Sequence, residues 1–82
     1  MFFTYIIKSL EIGKFYIGYT SNLTKRLLNH NNKGNRSTKN GVPWKLIYSE
    51  EFNTKAEAWK REKQIKSYKG GAAFKKLIGE VA

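Results

Sequence analysis

Two β-forming runs open the chain with only a short gap between them. Residues 2–8, from Phe2 to Lys8, are aromatic or β-branched but for the terminal lysine, and residues 14–19, from Lys14 to Tyr19, share that character apart from Lys14 and Gly18. Such side chains suit a pleated, half-buried surface. Residues 9–13 end in Gly13 and read as a turn, so the two runs pair as an antiparallel hairpin. A lone hairpin is marginal in water. The rest of the chain must therefore cover it.

The covering elements are legible. Thr20, Ser21 and Asn22 are all good helix N-caps, and Leu23, Leu27 and Leu28 follow at helical spacing. That helix stops within residues 31–34. Residues 33–43 are polar and basic and read as an exposed loop closed by Pro43. Trp44 to Tyr48 form a third strand. Asn53 or Thr54 caps a helix running to about Tyr68, where Gly70 and Gly71 break it, and residues 72–78 form a short last helix. The order is β-β-α-β-α-α, an α+β architecture of a small sheet with helices packed on it. With 82 residues this is a single domain spanning 1–82.

Charge narrows the partners. Sixteen Lys and Arg face six acids, a formal net charge of +10, which suits a phosphate polymer such as nucleic acid. The bland alternative is a solvated surface that happens to be basic. All six acids are glutamate, so a carboxylate-rich two-metal site is hard to build. There is no cysteine, which excludes disulfides, thiolate metal sites and thiol nucleophiles. No apolar run approaches a membrane span and the N-terminus lacks signal-peptide character, so the expectation is a cytoplasmic protein without membrane contact.

Some residues need explaining. Ala58 and Ile65 lie at i and i+7 on one face of the second long helix, and Glu62 lies at i+4 on that face with Trp59 beside it. A buried carboxylate needs a cation or hydrogen-bond partner. The ordinary partner is Lys66 at i+4; the functional one is a hard metal ion. Arg26 and His30 also stand at i and i+4, adjacent to the Leu23/Leu27 stripe. A solvated basic edge is the plain reading, and a phosphate clamp beside a proton-handling group the sharper one. Tyr5 and Tyr16 are packing tyrosines by default. They share a face only if the register sets residue 5 opposite 16 or 18. Gly18, inside a strand, marks a close approach of backbone or ligand.

These residues line up with a known family. Phe3-Thr4-Tyr5 and Tyr16-Ile17-Gly18 resemble the two name-giving motifs of the GIY-YIG nucleases. The second motif is intact; in the first, Phe3 and Thr4 replace glycine and isoleucine. The segment from Asn22 to His30 resembles the family helix that presents an arginine and, four residues later, a histidine or tyrosine. The segment from Ala56 to Lys66 resembles the one bearing the metal-binding glutamate, which falls on Glu62. Residues 72–74, Ala72-Ala73-Phe74, stand where several members carry an asparagine, and Tyr19 stands where a lysine often follows the glycine.

The resemblance implies a three-stranded antiparallel sheet flanked by helices, and metal-dependent hydrolysis of nucleic-acid phosphodiester bonds, DNA above all, in repair or DNA processing. It implies Tyr5, Tyr16, Arg26, His30 and Glu62 as the catalytic set, with one magnesium or manganese ion per site on Glu62. Arg26 stabilises charge on phosphate, one of the tyrosines orients or deprotonates water with a lowered pKa, and His30 relays the proton. Lys25, Arg36, Lys39, Lys63 and Lys66 are the expected backbone contacts. A domain this small leaves sequence specificity to a partner protein or a homodimer. Two rival readings are a nucleic-acid-binding module of the same fold with weak or no catalysis, and an interaction domain whose charge only confers solubility.

Overall fold

The computed structural model describes residues 1–32 and 38–79. The strands are β1 (Phe2–Ser9), β2 (Phe15–Thr20) and β3 (Trp44–Phe52); the helices are α1 (Leu23–Asn31), α2 (Lys55–Ser67) and α3 (Ala72–Leu77). Their order is the expected β-β-α-β-α-α. The sheet is antiparallel with β1 in the middle and β2 and β3 at its edges.

Period-2 alternation along β1 makes two cores. Tyr5 and Ile7 point to one face and pack with Trp44, Leu23 and Leu27. Ile6 points to the other and packs with Ile65 and Phe74. Helix α1 therefore covers one face of the sheet, and α2 with α3 covers the other. Phe74 is a core residue at the place where some GIY-YIG proteins carry a polar asparagine.

Local chemistry sets the element ends. Of the three cap candidates for α1, Asn22 does the work, its side chain accepting from the Lys25 amide at 3.0 Å. Thr54 caps α2, accepting from the Glu57 amide at 3.2 Å. Gly13 turns the hairpin at φ +71°. Beneath that turn Ser9 is buried. Its hydroxyl accepts from the Glu11 and Ile12 amides at 3.2 and 3.0 Å and donates to the Gly41 carbonyl at 2.6 Å.

Three expectations need correction. Strand β3 runs to Phe52 rather than Tyr48. The N-terminal half of β1 needs partners on the side away from β2, and Ser49 to Phe52 supply them, with a register shift between Ile6 and Ile7. Leu28 is exposed, whereas Leu23 and Leu27 pack inward. Residues 33–43 are not simply an exposed loop: 33–37 lie outside the described residues, but Thr38 and Gly41 are buried and Lys39–Gly41 make a 3-10 turn. Trp44 explains this. Its indole Nε1 donates to the Thr38 carbonyl at 2.7 Å, and its backbone is bridged by the Asn31 side chain, through bonds of 2.6 and 3.1 Å.

Two polar contacts hold α2 to the sheet. The buried Thr4 hydroxyl donates to the Ala58 carbonyl at 2.7 Å. Arg61 Nε lies 3.2 Å from Glu50 Oε1 on β3, close without being an aligned hydrogen bond, and Tyr48 donates to the same carboxylate. Thr4→Val keeps the shape and removes the first contact. It should lower stability by about 1 kcal/mol, a typical net hydrogen-bond contribution, measured by urea unfolding; an unchanged midpoint would show that the tether is idle.

Candidate active site

A cleft of about 570 Å³ is lined by Tyr5, Tyr16, Gly18, Arg26, Lys55 and Glu62, among others. Tyr5, Tyr16 and Gly18 belong to the sheet face that α1 covers, while Lys55 and Glu62 come from α2 on the opposite face. The cleft therefore reaches across the β2 edge, and two helices that never share a face contribute to one site.

The register answers the question posed by the tyrosines. Tyr5 pairs with Gly18, and Ile7 with Tyr16, so the two phenols sit diagonally on one face with ring centroids 6.3 Å apart. Gly18 makes this possible. A Cβ there would lie 2.7 Å from the Tyr5 hydroxyl oxygen and 2.9 Å from its Cζ. The close approach expected at Gly18 is thus made by the Tyr5 ring.

His30 is fully buried at the end of α1. Its Nε2 lies 2.9 Å from the Tyr5 hydroxyl and its Nδ1 lies 2.7 Å from the Thr38 hydroxyl. Its ring also stands 4.9 Å from that of Tyr16. Burial, and then the neighbouring Arg26 charge, lower its pKa below the ordinary 6.5. A neutral imidazole has one N–H and one lone pair, so the chain Thr38–His30–Tyr5 carries its hydrogen bonds in one sense at a time. Thr38 is one residue that sequence reading missed; it lay in a stretch that looked like exposed loop.

Tyr5 departs from expectation. A tyrosine serving as a base needs a lowered pKa. Burial instead pushes the Tyr5 phenol well above its usual value, Tyr16 adds to the rise, Arg26 pulls against it, and Glu62 pushes the same way. Tyr5 is therefore a protonated, hydrogen-bonded wall of the cleft. Tyr16 is only half-buried and is the more accessible of the two phenols.

Glu62 has the ordinary partner and also faces the cleft. Its side chain is 13% exposed and its Oε2 lies 3.4 Å from Lys66 Nζ, a loose i,i+4 pair, while it also lines the cleft. Among the described residues no three His, Cys, Asp or Glu cluster. A metal here would take one protein carboxylate and complete its shell with water and substrate oxygens, which magnesium tolerates. A shielded acid held only loosely by one lysine fits that role. Glu50, paired with Arg61, does not compete for it.

The remaining basic candidates scatter. Lys25 lines a neighbouring groove that shares Arg26. Lys39 is exposed on the 3-10 turn. Lys63 sits 4.6 Å over the Trp59 ring and Lys66 is paired with Glu62. Arg36 lies outside the described residues. Lys55 was not singled out from sequence, yet it lines the cleft. Its signal was there: it precedes Glu62 by seven residues, two helical turns on the same side.

A three-stranded antiparallel sheet with these residues gathered at one edge is the arrangement of a nuclease family. The chain belongs to that family: the model of the GIY-YIG catalytic domain matches residues 1–75. Among its relatives, a UPF0213 protein of Staphylococcus saprophyticus is 43% identical over 79 residues, covering 95% of this chain and 94% of that one. A UPF0213 protein of Staphylococcus epidermidis is 45% identical over 67 residues, 80% of each chain. The solution NMR structure of a UPF0213 protein from Bacillus halodurans is 29% identical, covers 90% of this chain and 92% of its own, and superposes with a TM-score of 0.48. GIY-YIG nucleases generally use a divalent metal. No helix among the described residues is long and apolar enough to cross a membrane.

Two measurements probe the geometry. Gly18→Ala forces a Cβ into the buried Tyr5 ring, and such overpacking should destabilise by about 1–3 kcal/mol in urea unfolding; a neutral result would mean the ring is free to move. His30 is the single histidine, so its ring proton gives one unambiguous NMR titration, with an expected midpoint below 6.5. The linkage sign follows: the unfolded chain binds this proton more readily, so His30's contribution is full above pH 6.5 and is lost as pH falls through the folded-state midpoint.

Proposed function

We propose that this chain is a divalent-metal-dependent endonuclease that hydrolyses nucleic-acid phosphodiester bonds, DNA in the first place. The observation that carries the reading is the meeting of Glu62 and Arg26, from helices on opposite faces of the sheet, in one cleft walled by Tyr5 and Tyr16. A carboxylate, a guanidinium and a phenol at one solvent-open site are what in-line hydrolysis of a phosphodiester asks of a protein.

Glu62 would hold a magnesium or manganese ion, which when bound supplies Lewis-acid polarisation of the phosphoryl group. Arg26 grips the non-bridging oxygens through its planar fork and offsets charge as it builds on them. Tyr16 orients the attacking water; as the water oxygen bonds to phosphorus and the bond to the leaving oxygen breaks, the water's proton passes to solvent at the open cleft and the leaving oxygen takes one from solvent. Tyr5 stays protonated. Its bond to His30 fixes the ring over Gly18 and so sets where Tyr16 and the water stand. His30 is in this reading an orienting group for Tyr5. Lys66 is released from Glu62 to the phosphate backbone, which it shares with Lys25 and Lys55.

Nicking of supercoiled plasmid tests this. With magnesium the wild type should nick and with chelator it should not. Glu62→Gln and Arg26→Ala should each lose about 10²-fold or more, the scale of removing a charge-stabilising group. Tyr16→Phe should lose more than Tyr5→Phe. Equal nicking by all variants would sink the assignment. Salt-sensitive binding with no metal-dependent cleavage would identify a module that binds without cutting.

A further inference from the structure

Helix α2 carries one large apolar side chain that neither core uses. Trp59 is 42% exposed, whereas Ala58 and Ile65 of the same helix are completely buried. At 100° per residue, Lys55, Glu62 and Lys66 fall on one stripe of the helix, and Trp59 stands next to it on the side away from Ala58. The indole is thus carried beside the stripe that bears Lys55 and Glu62, one turn before Glu62, although it does not itself line the cleft. Lys63 lies 4.6 Å over its ring, and Lys63 is exposed like Trp59 itself. Two more half-buried aromatics, Phe2 and Tyr19, line the cleft beside Lys55.

We infer that Trp59 and Lys63 form a stacking site for an unpaired nucleobase at the mouth of the cleft, so that the preferred substrate is a strand with unpaired nucleotides rather than fully paired duplex. The inference deepens the nuclease reading and rests on it for the identity of the polymer. Aromatic faces interleaved with lysines are how proteins hold single-stranded nucleic acid: each base offers a π-face and each linkage a charge. In a continuous duplex the bases are already stacked on one another and present only their edges. An exposed contact between an ammonium and an indole is weak. An arriving base displaces it, taking the ring while Lys63 moves to the adjoining phosphate. Lys55 then holds the next phosphate inward, toward Arg26. A solitary exposed tryptophan would need no explanation on an ordinary surface; here Lys55 and Lys63 flank it at i−4 and i+4, with Glu62 at i+3, and the cleft beside it carries aromatic rings.

The two tryptophans make the test direct, because Trp44 is 6% exposed and only Trp59 can meet a ligand. The probes are a short oligothymidylate and a blunt DNA hairpin closed by a non-nucleotide linker, so that it has no unpaired base, both titrated in chelator so that nothing is cut. Oligothymidylate should quench the protein's fluorescence, and Trp59→Leu should abolish the quenching. The same variant should weaken oligothymidylate binding, followed by a labelled strand, about tenfold or more, and hairpin binding by less than about twofold. Trp59→Phe should restore most of the affinity. Trp44 emission, unchanged in Trp59→Leu, reports that the fold is kept. Equal losses on strand and hairpin, or full-affinity strand binding without quenching, overturn the stacking site. If the stacking result holds while plasmid nicking shows no dependence on metal, Glu62 or Arg26, the nuclease reading fails and the stacking site stands.

Discussion

The Tyr5 ring resting on the bare backbone of Gly18 is the contact on which the site depends. It requires a residue without a side chain opposite Tyr5, and it leaves the phenol hydroxyl within 2.9 Å of His30 Nε2. From there the order propagates: His30 to Thr38, Thr38 to the Trp44 indole, and Trp44 back to Asn31 beside His30 in α1. Helix α1 is thereby fixed at its C-terminal end, and Arg26, one turn earlier, inherits its place. Buried polar networks of this kind rigidify when fully satisfied.

The other half of the site is held independently. Helix α2 is seated by Ala58 and Ile65 on the opposite core and by the Thr4 hydroxyl, with Arg61 reaching Glu50. Thr4 stands where the family's first motif has isoleucine. Here its hydroxyl tethers the helix that carries Glu62 through a bond of 2.7 Å to the Ala58 carbonyl.

Much of this was legible in the sequence. The hairpin, the helix caps and the element order follow from local propensity and turn chemistry, which act over a few residues. Glu62 could be singled out because an acid on an apolar stripe breaks a pattern. Sequence alone did not reveal Thr38, because its burial is imposed by an indole six residues away and by a histidine on another element. The extension of β3 was hidden for a similar reason: Ser49, Glu50 and Glu51 are strand residues only because β1 has backbone groups to satisfy there. Sequence leaves open which of the two tyrosines suits a base, since it does not show from which phenol water is excluded; burial raises the pKa of Tyr5. Lys55 was overlooked because its helical phase matters only once Glu62 is known to face a cleft.

The position of the cleft has a consequence for the free protein. β2 is an edge strand, and an open edge is a template on which a second chain can add its own strand. The groups that crowd this one are Arg26, Lys55 and Glu62, charges that another strand's backbone would have to strip of water to approach. The same side chains that suit the cleft to a phosphate chain thus guard the sheet against growing by self-addition.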